Sequence, residues 1–175
     1  GGFVFAAGPS PMDDAVPAEQ RAAEPGTVIE TCPGAAATIA GIAQRIDVQG
    51  GAALFIDYGY LEPQTGETLQ AVRRHEKVGP FEAPGDMDLT ALVDFATLAK
   101  VAAREGLAVA TAPQGSWLSA MGIGLRAQAL SDKSPTHAKS ISQAHDRLVA
   151  EGHMGELFKV MAITPRTAPR GAGFG

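Results

Sequence analysis

The spacing of apolar and polar positions divides the chain into alternating helical and strand-like segments. Ile39, Ile42 and Ile46 recur at helical spacing and Pro33 suits a first helical turn, so a helix is predicted from about residue 33 to 46. The run AALFID after Gly50 and Gly51 is too short and too evenly apolar for a helix. It predicts a strand buried on both faces and ending at Asp57. Leu107 to Thr111 and Leu157 to Thr164 predict two more strands, with Lys159 giving the second a wetter face or an edge position. Asp94, between Val93 and Leu98, is the predicted N-cap of a stapled helix that stops at Gly106. Ser116 is the predicted cap of a short helix through Trp117 and Leu118. Ser134 with Pro135 opens a last helix whose Ile141, Ala144 and Leu148 share a face.

The segments between are less regular. Residues 1–25 read as an irregular stretch with an edge strand near Phe3, and Thr27 to Glu30 as a short strand. Residues 60 to 88 form a long Gly- and Pro-containing connection with two short strands around Leu69 to Val72 and Lys77 to Phe81, a length that points to function. The tail, 165–175, has nothing to bury and is expected to be disordered. The order helix, strand, helix, strand, helix, strand predicts an α/β sandwich with a mostly parallel sheet.

Composition narrows the function classes. With 14 basic and 19 acidic residues in 175, the net charge of -5 offers no footprint for a nucleic-acid backbone. Cys32, the single cysteine, has no disulfide or zinc partner and suits a reducing compartment; a cytoplasmic location is expected over a mitochondrial one. The uncharged stretch from Leu107 to Leu125 is broken by Pro113, Gln114, Gly115, Gly122 and Gly124, so it is not read as a membrane helix. The opening residues carry neither an initiating Met nor a signal sequence, and the chain is expected to be a fragment.

Ligands of open α/β sheets sit outside the carboxyl ends of strands, which singles out Asp57, Tyr58, Gly59 and Tyr60. The competing reading makes Asp57 a cap and Gly59 a turn residue. Asp86, Asp88 and Asp94 cluster nearby in sequence but lack the bidentate Glu or His of a metal loop, so no metal site is expected. His75, His137, His145 and His153 show no HExxH-type spacing, and no GxSxG elbow or GxGxxG after a strand occurs.

The blocks ETCPGA, QRIDVQGGAALFIDYGY, GETLQAVRRHE, APGDMDLTALVDF, APQGSWLSAMGI and MGELFKVMAI, in this order, resemble the carboxy-terminal half of the MidA-like class I S-adenosylmethionine-dependent methyltransferases. That family includes a mitochondrial arginine methyltransferase of complex I assembly. The resemblance covers residues 26–164 and implies an incomplete Rossmann-like three-layer sandwich, with AALFID, LAVAT and LFKVMAIT as fifth, sixth and antiparallel seventh strands. It implies S-adenosylmethionine as cofactor, a protein substrate bearing an arginine, and a substrate cleft near Asp57, Tyr58 and Asp88. The cofactor's glycine loop and ribose acid belong to the half not matched, so no cofactor-binding residue is assigned. A homo-oligomer is compatible with this reading. The alternatives are a non-catalytic protein-binding module derived from the family and, with less support, a nicotinamide-dependent oxidoreductase fragment.

Overall fold

The computed structural model describes residues 2–9 and 11–174. In chain order its elements are α1 (Pro33–Gln49), β1 (Ala53–Tyr60), β2 (Gln70–Arg73), β3 (Glu76–Val78), β4 (Asp88–Thr90), β5 (Val93–Asp94) and α2 (Phe95–Arg104). They continue with β6 (Ala108–Pro113), α3 (Gln114–Ala120), α4 (Ile123–Lys133), α5 (Ala138–Val149), α6 (Met154–Leu157) and β7 (Phe158–Thr164). Two compact units result: the residues up to Cys32 with Gln64–Leu92, and Pro33–Pro63 with Val93 to the carboxyl end.

The second, larger unit holds a four-stranded sheet in the order β5-β1-β7-β6. β5 runs parallel to β1, and β7 runs antiparallel to both β1 and β6, so three strands share a direction and only the last opposes them. This is the predicted pattern. Successive β7 residues point to opposite faces. Met161 and Ile163 meet Ile39, Ala43 and Ile46 of α1 and Phe95, Leu98 and Ala102 of α2. Val160 and Ala162 meet Trp117 of α3 and Phe174. The unit therefore has three layers. Phe95 is 1% exposed, and its burial removes enough apolar area to contribute about 2–3 kcal/mol. A Cβ at Gly59 would stand 2.2 Å from the Val93 carbonyl oxygen, so only glycine lets β5 and the start of α2 close on β1. The close approach considered for a ligand is taken by the protein's own backbone.

Asp94 caps α2 as predicted: its Oδ1 accepts from the Thr97 amide at 2.9 Å and its Oδ2 from the Thr97 hydroxyl at 2.6 Å. Other expectations need correction. Ser116 lies inside α3, which Pro113 precedes without a side-chain cap, and Ser119 donates to the Gly115 carbonyl within the helix. Gly122, at φ 85°, turns the chain directly into α4, an unexpected helix with no buried residue to give it an apolar stripe. Pro135–His137 forms a 3₁₀ turn ahead of α5. The tail does find something to bury: Phe174 is 8% exposed, and Trp117 Nε1 donates to the Ala172 carbonyl at 3.1 Å.

In the smaller unit β2 is flanked by β3 and β4, both antiparallel to it, and Ala71 is buried. Residues 2–9 form no strand, and neither does Thr27 to Glu30, where the Val28 carbonyl accepts a single bond from Gly66. Glu30 instead holds the Thr68 amide (2.8 Å) and hydroxyl, and Thr68 Oγ1 accepts from Leu92 (3.0 Å). These bonds tie three distant segments together. The hairpin between β2 and β3 turns through Arg74 (φ 51°) and His75 (φ 68°), two non-glycine residues in left-handed conformations that cost about 1–3 kcal/mol each.

Candidate functional site at the carboxyl end of the first sheet strand

A cavity of about 500 Å³ lies at the carboxyl end of β1, within the size range of small-ligand sites. Its floor comes from the sheet. The β1–β7 register sets Tyr58 opposite Phe158, with ring centroids 5.2 Å apart at 75°, an edge-to-face pair. Its wall comes from α5, where Gln143, Asp146 and Arg147 at positions i, i+3 and i+4 share one face, and from His153 before α6.

Tight packing fixes that wall. Gln114, the buried polar residue of α3, donates through Nε2 to the Leu148 carbonyl at 3.0 Å near the carboxyl end of α5. Cβ atoms at Gly115 and Gly155 would lie 2.3 and 2.1 Å from the Val149 carbonyl oxygen. Both glycines are therefore required for α3 and α6 to close on the end of α5. Asp146 keeps an exposed carboxylate whose Oδ1 stands 3.1 Å from His145 Nδ1.

The three expected cleft residues occupy different settings. Tyr58 lines the cavity. Asp57 is the preceding residue of the same strand, so its side chain leaves the opposite face of the sheet. There it is exposed, and its Oδ1 accepts from the Tyr58 amide at 2.7 Å. Across the strand from Asp57 stands Lys159, whose ammonium donates to the Glu156 carbonyl. Burial lowers the Lys159 pKa, with the Glu156 charge acting in the opposite sense. Asp88 belongs to the smaller unit, exposed on β4 opposite Val72.

Asp146 and Arg147 escaped the sequence reading because a polar helix face looks the same whether it meets water or a cavity, and His153 was read there only as lacking metal-ligand spacing. Among the described residues no group of three His, Cys, Asp or Glu side chains is placed to hold a metal ion. No helix among them is long and apolar enough to cross a membrane.

The same geometry bears on whether these residues could hold a methyl-donor cofactor. The tightest backbone approaches, at Gly59, Gly115 and Gly155, are filled by the protein's own carbonyls, and no buried polar side-chain atom among the described residues lacks a partner. These residues form a ligand-sized cavity but no cofactor cradle of their own.

A three-layer α/β unit with a cavity beyond a strand's carboxyl end defines the Rossmann-like class of ligand-binding folds. Comparison with known proteins makes this specific. Residues 1–112 match the model of a family described as "Putative S-adenosyl-L-methionine-dependent methyltransferase", and the chain belongs to that family. It is 34% identical over 158 residues to the mitochondrial protein arginine methyltransferase NDUFAF7 of Xenopus tropicalis, covering 86% of this chain and 36% of that protein. The human counterpart is 35% identical over 148 residues, covering 83% and 33%. A crystal structure of a Burkholderia thailandensis protein bound to S-adenosyl-homocysteine superposes with a TM-score of 0.67 at 28% identity, covering 83% of this chain and 37% of that one. The chain thus spans about a third of the length of the relatives it matches.

Proposed function

We propose that this chain forms part of an S-adenosylmethionine-dependent methyltransferase acting on arginine in a protein, with a link to respiratory complex I assembly and a cytoplasmic setting. The observation that carries the reading is the similarity to protein arginine methyltransferases over more than four fifths of the chain. The geometry supports an acceptor-binding role for this part. The Tyr58–Phe158 pair offers an aromatic surface to a guanidinium, and the exposed Asp146 carboxylate beside it offers paired acceptor oxygens. Asp57, on the other face of the same strand end, serves as a further carboxylate for the acceptor peptide in this reading. A guanidinium held between ring and carboxylate has its free nitrogen oriented, and orientation is the main contribution a protein makes to an in-line displacement.

The test is a chimera in which residues 33–164 replace the matching portion of the Xenopus tropicalis relative. Transfer of labelled methyl groups to protein arginine is expected, with Asp57→Asn and Asp146→Asn each lowering it at unchanged melting temperature. A folded chimera that binds S-adenosylmethionine but modifies no arginine would overturn the reading and leave a non-catalytic binding module.

A further inference from the structure

The β2–β3 hairpin closes with a two-residue loop, and Arg73 pairs with Glu76 across its mouth. Positive φ at both central residues marks a type I′ turn, whose favoured occupants are Asn-Gly and similar pairs. Here they are Arg74 and His75, both exposed. Residues held in a disfavoured backbone state at an exposed tip point to a use for their side chains.

Charge shows what that use is. Arg73, Arg74 and Lys77 put three cations around the tip of a chain whose net charge is -5. Among the described residues, no side-chain hydrogen bond or ion pair engages these three, nor His75. The register sorts them further. Arg73 and Glu76 share one face of the hairpin, so that pair is locally balanced. Lys77 lies on the other face, in one row with Val72 and, beyond it, Asp88 of β4. Arg74 and His75 stand at the apex, past every carboxylate of the ladder.

We propose that this hairpin tip is a docking site for a short acidic segment of a protein partner, bound by Arg74, Lys77 and His75. A polypeptide is favoured over nucleic acid because the acidic chain repels an extended phosphate backbone, whereas a tip of this width engages two or three carboxylates.

The experiment measures fluorescence anisotropy of the full chain with a labelled peptide of consecutive glutamates, and with its glutamine counterpart. Arg74→Asn/His75→Gly/Lys77→Gln removes the charges while giving the turn its preferred residues, so the variant should melt no lower than the parent. Expected are preferential binding of the glutamate peptide, roughly tenfold weaker binding by the triple variant, retention by Arg74→Lys, and weakening with added salt. Equal binding by parent and triple variant, no preference over the glutamine peptide, or tighter binding of a DNA oligonucleotide or phosphatidylserine vesicles would each overturn the proposal. The methyl-transfer chimera decides the enzyme reading separately: tip-dependent peptide binding with no transfer sinks that reading alone.

Discussion

The indole of Trp117 lies 6.3 Å from the ring of Phe174 at a 42° tilt, and its Nε1–H reaches the Ala172 carbonyl. A residue of α3 thereby anchors the end of the chain over Val160 and Ala162. Phe174→Ala should destabilise the fold by about 3 kcal/mol, the usual cost of emptying a buried aromatic site. Chemical denaturation of both proteins checks this, and a change below about 0.5 kcal/mol would show that the tail adds nothing to the core.

Asp94→Ala removes both bonds to Thr97 and should cost about 0.5–2 kcal/mol. Asp94→Asn, which can still accept one bond, should cost less. If urea melts leave the two variants indistinguishable from the parent, the cap is not what holds the start of α2.

Gly155→Ala places a methyl group 2.1 Å from the Val149 carbonyl oxygen, a contact that backbone movement must relieve. A loss of about 1–3 kcal/mol is expected, together with displacement of the α5 wall of the cavity. Gly41→Ala, where nothing lies within 4 Å and the residue sits inside α1, is the control and should stabilise by up to about 1 kcal/mol. Thermal melts of the pair separate the two cases.

The chain by itself should bind S-adenosylmethionine weakly or not at all, because its tightest glycine approaches are closed by its own backbone. It should also self-associate. Among the described residues, β1 from Ala53 to Tyr58 pairs with β7 alone, and Leu54 and Ile56 are 50% and 45% exposed beside that open edge. Calorimetric titration with the cofactor, run alongside light scattering, tests both statements. Micromolar binding by a stable monomer would show that the cofactor site lies within this chain.

The amino-acid sequence alone determined α1, α2, β1, β6 and β7, since each has an apolar period or run that local burial reads directly, and Asp94 could be named as a cap because capping is settled within four residues. It placed Asp57 and Tyr58 together at the end of β1, whereas that strand continues to Tyr60 and so sends their side chains to opposite faces. Only the tertiary structure decided which of those faces meets α5 and acquires a cavity. The same holds for Asp146, Arg147 and His153, whose polar spacing carries no sign of what stands opposite. Phe174 looked unpartnered for the same reason: its site is made of β7 and α3, more than ten residues away in sequence. Arg74 and His75 hid their turn because the ladder on either side forces a conformation that neither residue favours. Gly59, Gly115 and Gly155 are needed through contacts with Val93 and Val149, and such contacts exist only after the chain has packed.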